Sequence, residues 1–199
     1  MAKTMVAALG DSITAGSPRW DPDPAVRARI AAPTPESSWE HWAALAAPSF
    51  ELRNCGVYGE RTDEIALRLE PCAGGVDVLV VQGGINDVAQ GRSVEDAAAS
   101  LRAMARRGLE LGLVVLLADV LPWNAGYPRF DAAIRHLNAL VAAVAAEEGV
   151  GLLPFHDTLE DASRPGRMRE EWVADGDHPS VAGYRRLAEV VVVPALLEL

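Results

Sequence analysis

At 199 residues, half of them hydrophobic and with a formal net charge of −10, the chain has the size and apolar content of a single domain spanning 1–199 with a sizeable core. The acidic balance, with no cluster of Lys and Arg, disfavours a nucleic-acid partner and speaks mainly for solubility. No uninterrupted apolar stretch reaches the roughly 18 residues that cross a bilayer, and the first ten residues run into a strand and turn rather than a signal peptide's apolar segment. A soluble cytoplasmic protein without stable membrane insertion is expected. The two cysteines, Cys55 and Cys72, can neither complete a tetrahedral metal site nor make a disulfide framework. Free thiols are expected, with Cys55 a core residue rather than a nucleophile.

In chain order, Met5 to Leu9 reads as a buried strand that breaks at Gly10-Asp11-Ser12-Ile13-Thr14-Ala15-Gly16 into a tight turn. That places Ser12 at the strand's carboxyl end, the edge of an open parallel sheet where ligands bind. Taken alone, the same triplet also fits a serine that caps a helix. Ser17 to Glu36 carries five prolines and Trp20. It reads either as an irregular excursion over the mouth of a site or as a surface insertion. Ser37 or Ser38 caps a helix through about Ala47, with Trp39, Trp42, Leu45 and Ala46 as its apolar stripe.

Phe50 to Cys55 is the second strand, and Asn54 to Thr62 its outgoing loop, punctuated by Gly56 and Gly59. A helix to Leu69 follows, then a continuously apolar strand from Val76 to Gln82 that delivers Gly83-Gly84-Ile85-Asn86-Asp87. Val94, Ala98, Leu101, Ala105 and Leu109 recur at helical spacing up to Gly112. Leu113 to Val120 is the fourth strand and Trp123 to Pro128 a loop at the same edge. Phe130, Ile134, Leu137, Val141 and Val144 give a helix one apolar face as far as Gly149, and Val150 to Phe155 is the fifth strand. Asp175-Gly176-Asp177-His178 forms a turn that opens the last helix at Pro179. Strands alternating with helices predict a parallel sheet covered on both faces, a three-layer α/β/α sandwich.

A serine hydroxyl attacks poorly until a base takes its proton, and the base needs a third group to orient it. His41 and His136 fall in helices and read as surface or packing residues. His156, beside Asp157, is the runner-up base, and His178 is preferred, because a tight turn returns the carboxylate of Asp175 to Nδ1 and leaves Nε2 free for Ser12. Charge that develops on a carbonyl oxygen needs preorganised donors. The backbone N–H of Ser12, that of Gly59 and the side-chain amide of Asn86 all leave the same edge, although Gly56 competes with Gly59 and Asn86 also suits a plain turn asparagine.

Gly10-Asp11-Ser12, Asn54 to Gly59, Gly83 to Asp87 and Asp175 to Pro179, in that order, resemble the four sequence blocks of the SGNH hydrolases, the GDSL esterase/lipase family, from Val6 to about Leu197. One departure is the polar Asp177, where many relatives place an apolar residue. The resemblance implies a flavodoxin-like five-stranded parallel sheet and a cofactor-free serine esterase acting on small-molecule esters. It puts the nucleophile at Ser12, the Asp-x-x-His pair at Asp175 and His178, and the oxyanion donors at Gly59 and Asn86. Acyl transfer, thioester or lysophospholipid cleavage would use the same acyl-enzyme. Two other classes stay open: a binding module without turnover, and a metal-dependent hydrolase built on Asp11, Asp87, Asp175 and Asp177.

Overall fold

A computed structural model describes residues 3–16 and 34–199. The expectation of a loop over Ser17 to Glu36, with Trp20 in it, falls almost wholly outside them; its last residues enter a 3₁₀ turn, Pro35–Ser37. Five strands, β1 (Thr4–Gly10), β2 (Phe50–Gly56), β3 (Val78–Gln82), β4 (Val114–Ala118) and β5 (Gly151–Leu153), pair in parallel in the order β2-β1-β3-β4-β5. This is the flavodoxin-like order that the family resemblance implies, with its switch point between β1 and β3. The chain leaves those two strands in opposite lateral directions, so the loops after them face a shared crevice.

Side-chain alternation explains the three layers. Val6, Ala8, Val78, Val80, Leu116 and Ala118 point to one face, which is covered by α2 (Trp39–Ala46), α8 (Phe155–Leu159), α9 (Val181–Leu187) and α10 (Val193–Leu197). Ala7, Leu9, Leu79, Val81, Val115 and Leu117 point to the other, beneath α3 (Thr62–Ala66), α4 (Leu69–Ala73), α6 (Val94–Glu110) and α7 (Asp131–Glu148). Every one of these strand residues is buried, which is why the strands read as unbroken apolar runs. Among the described residues, no helix is long and apolar enough to cross a membrane.

Several details depart from the sequence reading. Ser38 caps α2 by accepting from the His41 N–H (3.3 Å), but the stripe it buries is Trp39, Glu40, Ala43 and the following Ala47, while Leu45 is 62% exposed. Two short helices, α3 and α4, replace the single helix to Leu69. β5 is three residues long because Pro154, which has no N–H for a ladder, ends it, and Phe155 begins α8. Pro179 does not open the last helix; Ser180 caps α9 by accepting from the Gly183 N–H (3.2 Å). The cysteines are not free thiols: Cys55 and Cys72 are disulfide-bonded, joining the end of β2 to α4. Their separation of 17 residues corresponds to a loop-closure contribution of about 3 kcal/mol.

Glu40 is buried on the inner side of α2. Burial pushes its carboxyl up from 4.5 to about 8, outweighing the lowering influence of its own backbone N–H and the Ser38 hydroxyl. Between those two values the folded state holds a proton that the unfolded state has released, so stability falls as pH rises through that window. One such group contributes at most about 1.4 kcal/mol per pH unit. Glu40→Gln removes this contribution. Urea unfolding at pH 5 and pH 8 is expected to show the variant gaining on the parent protein at pH 8; an equal difference at both pH values would contradict the assignment.

Candidate active site

Gly10 ends β1 where any side chain would collide: a Cβ there would lie 2.3 Å from the Thr14 hydroxyl and 2.7 Å from the Gln82 side-chain oxygen. The chain turns directly into a one-turn helix, α1 (Ser12–Ala15), which the Asp11 carboxylate caps by accepting from the Ile13 N–H (2.9 Å). Asp11, not Ser12, is therefore the capping residue, and the Ser12 hydroxyl is released from that duty. Gln82, at the end of β3, accepts from the Thr14 hydroxyl (2.9 Å) and the Asp11 N–H (3.3 Å), pinning the turn to the neighbouring strand. Asp11 is fully buried, and burial pushes its pKa up to about 6, against the lowering hydrogen bonds to the Ile13 N–H and Gln82.

The Asp175–His178 turn closes over this serine. Gly176 sits at φ 93°, the left-handed region that a side chain disfavours. One Asp175 oxygen accepts from the backbone N–H groups of Asp177 (2.9 Å) and His178 (2.8 Å), and the other lies 2.9 Å from His178 Nδ1. Half-burial works to raise the Asp175 pKa, but the His178 ring and the two N–H groups outweigh it and hold the carboxyl below its usual range. A carboxylate on Nδ1 keeps the proton there and leaves Nε2 as an acceptor. Nε2 lies 2.9 Å from Ser12 Oγ, and both residues are buried.

The second and third blocks meet beside them. Asn86 lies in α5 (Ile85–Ala89), after Gly84 at φ 119°, and its side-chain amide donates to the Glu60 carbonyl at 2.9 Å. Gly59 precedes that carbonyl at φ 78°, with open space where a Cβ would stand. Gly56 is different. Its N–H donates to the Asn54 side chain (2.8 Å), and a Cβ on it would lie 2.0 Å from the Ala15 nitrogen, so it packs beneath α1.

Two residues hold these loops together: Arg68, which escaped the sequence reading, and Asp87, which it offered only as a metal ligand. Arg68 pairs with the Glu60 carboxylate (2.5 Å) and donates to the carbonyls of Gly10 (3.0 Å) and Cys55 (2.5 Å), joining the ends of β1 and β2 to the loop that holds Asn86. Asp87, fully buried, accepts from both the N–H and the hydroxyl of Thr62 (2.9 Å each), locking α5 onto α3. No local signal marks Arg68, since its partners lie 8, 13 and 58 residues away.

His156 lies in α8, with its backbone N–H on Asp119 (2.7 Å) and its ring 3.5 Å from Asp157; burial lowers its pKa, and the imidazole on Ser12 is that of His178. His41 packs edge-on against Trp42 and His136 faces Glu95 at the surface. The four aspartates considered for a metal are committed to separate donors: Asp11 to Ile13, Asp87 to Thr62, Asp175 to the His178 turn and Asp177 to the Trp123 indole. Among the described residues, the His/Asp/Glu grouping able to hold an ion is His156, Asp157 and Glu160, where the Arg135 guanidinium already sits 2.6 Å from Glu160.

The five-stranded parallel sheet thus brings a buried serine and an Asp-His pair together at its switch point. The sequence matches the model of the GDSL-like lipase/acylhydrolase family over residues 8–186. The chain belongs to that family and is an ester-hydrolysing enzyme. A comparison with curated proteins returned no sequence match. Among solved structures, the chain is similar to a protein of the G-D-S-L family from Desulfitobacterium hafniense DCB-2 (21% identity, 94% of this chain and 97% of that one, TM-score 0.78). It is also similar to a lipase/acylhydrolase from Enterococcus faecalis (21%, 97% and 95%, 0.76) and to Axe2-W215I, an acetyl xylan esterase from Geobacillus stearothermophilus (19%, 94% and 92%, 0.70).

Proposed function

We propose that the protein hydrolyses small acyl or acetyl esters through an acyl-enzyme on Ser12. The observation that carries this reading is the unbroken chain from the Asp175 carboxylate through His178 to the Ser12 hydroxyl, with 2.9 Å at each link. Ser12 Oγ attacks the ester carbonyl while His178 Nε2 takes its proton, and Asp175 stabilises the imidazolium. The N–H groups of Ser12 and Gly59 and the amide of Asn86 receive the oxyanion. In support, Gly56 has spent its N–H on Asn54, whereas Gly59 N–H has no protein acceptor among the described residues. Asn86 gives one amide hydrogen to Glu60 and retains a second. The protonated His178 then passes its proton to the leaving alcohol, and water repeats the sequence to free the acid.

No cofactor enters this scheme, and the net charge of −10 fits a small-molecule substrate rather than nucleic acid. Transfer of the acyl group to another alcohol, or cleavage of thioesters or lysophospholipids, would use the same residues. The Cys55–Cys72 bond favours an oxidising compartment over the cytoplasm expected from the sequence. The test is turnover of p-nitrophenyl acetate by the purified protein. The reading requires activity that survives chelator and disappears in Ser12→Ala; activity that survives the substitution overturns it.

A further inference from the structure

The turn that carries His178 is braced within itself by the Asp175 bonds described above and by the Ala174 N–H, which donates to the His178 carbonyl (2.9 Å). Bonds of this kind give the turn its shape but not its place over Ser12, because their partners move with it. The loop after β4 ties it down from outside. The Ala125 N–H donates to the Gly176 carbonyl (3.0 Å), and Trp123 Nε1 donates to Asp177 Oδ1 (2.5 Å), across 54 residues of sequence.

The donor end of that second bond is itself held by groups outside the turn. The Trp123 indole stacks on Phe130, with centroids 4.9 Å apart and planes 11° apart, and lies so close to Gly126 that a Cβ there would stand 2.3 Å from the ring. The neighbouring Asn124 side chain donates to the Met168 carbonyl (3.0 Å) and accepts from the Met168 N–H (2.6 Å). The indole N–H is therefore presented at a fixed point, and a group locked by its own packing restrains whatever accepts from it. At the accepting end, the carboxylate of Asp177 makes the bond charge-assisted; an apolar side chain at this position could not take the N–H. The next residue in the chain is His178.

We propose that Trp123 and Asp177 are positioning residues, whose hydrogen bond holds the catalytic turn so that His178 Nε2 stays on the Ser12 hydroxyl. This rests on the esterase reading above and adds to it two residues that act through His178. The imidazole takes the serine proton and later returns one to the leaving group, so its placement governs both halves of the reaction. A misplacement of about 1 Å costs on the order of 10²-fold in such a site.

The experiment measures kcat and KM on p-nitrophenyl acetate, with kcat expressed per active serine titrated by the initial burst, so that unfolded protein does not count. Trp123→Phe keeps a ring against Phe130 and loses the N–H; Asp177→Leu loses the acceptor. Each is expected to lower kcat by about tenfold with KM within about twofold of the parent, and the double variant to lose little more than either alone, since both remove one bond. Asp177→Asn, which keeps a side-chain oxygen for the indole, is expected to retain most of the parent kcat. A merely structural role would lower the titrated fraction or the unfolding temperature and leave kcat per site alone. Should Asp177→Leu fail to fold, Asp177→Ala carries the same comparison. Values of kcat per site within about twofold of the parent in both single variants overturn the proposal. So does an Asp177→Asn as slow as Asp177→Leu beside an unimpaired Trp123→Phe, which would make the charge of Asp177 the operative feature. Either result leaves the esterase reading standing, whereas a parent protein inactive on the ester overturns both.

Discussion

Replacing Ser12 with alanine is expected to lower kcat on p-nitrophenyl acetate by on the order of 10⁴- to 10⁶-fold, with the unfolding temperature nearly unchanged. The magnitude follows from what the hydroxyl supplies. Without it no covalent intermediate forms, and water must attack with only the oxyanion donors and binding to assist, which leaves a small residual rate. Stability is spared because Asp11, not Ser12, caps α1 and Gln82 holds the turn, so alanine removes one oxygen from an otherwise intact structure. His178→Ala is expected to cost a similar factor, and the double variant little more than either, because the two groups act as a unit. Losses that multiply in the double variant would mean that they do not.

The second large effect is expected at Asn86. Its amide is aimed by the Glu60 carbonyl, and Glu60 is held by Arg68. A donor fixed in this way needs no reorganisation as charge develops on the substrate oxygen, and such donors contribute about 3–4 kcal/mol to the transition state. Asn86→Ala is therefore expected to lower kcat by about 10²- to 10³-fold with KM changed little. A defect confined to KM, or to thermal stability with kcat unchanged, would instead make Asn86 a turn residue and leave the oxyanion to backbone donors alone.

How far the sequence carries this picture depends on the range of the interactions concerned. The three layers were legible because each central strand is buried on both faces and each long helix shows one apolar stripe; α6 and α7 end where Gly112 (φ 78°) and Gly149 (φ 67°) interrupt them. Asp175 and His178 were legible because a three-residue turn brings them together locally. The contact between His178 and Ser12 spans 166 residues, and only the shared sheet edge and the family resemblance pointed to it. The bonds of Arg68, the Cys55–Cys72 link and the burial of Glu40 lack any such local cue. In α2 the register was misjudged, because two tryptophans and a leucine outweigh a glutamate in any hydrophobic count, yet the helix turns Glu40 inward and Leu45 to solvent. The final turn misled for a similar reason: Pro179 suits a first helical position, but it pairs with Val173 in an isolated bridge, and Ser180 takes the cap.

The central claim is that the Ser12 oxygen is a nucleophile activated by His178. An alkyl fluorophosphonate tests it directly, because an activated serine oxygen displaces fluoride and keeps the phosphonyl group. Peptide mass spectrometry of the treated protein is expected to find the added mass on Ser12 alone, with labelling largely lost in His178→Ala. Modification of a different residue, or undiminished labelling of Ser12 in the absence of the imidazole, would contradict the account.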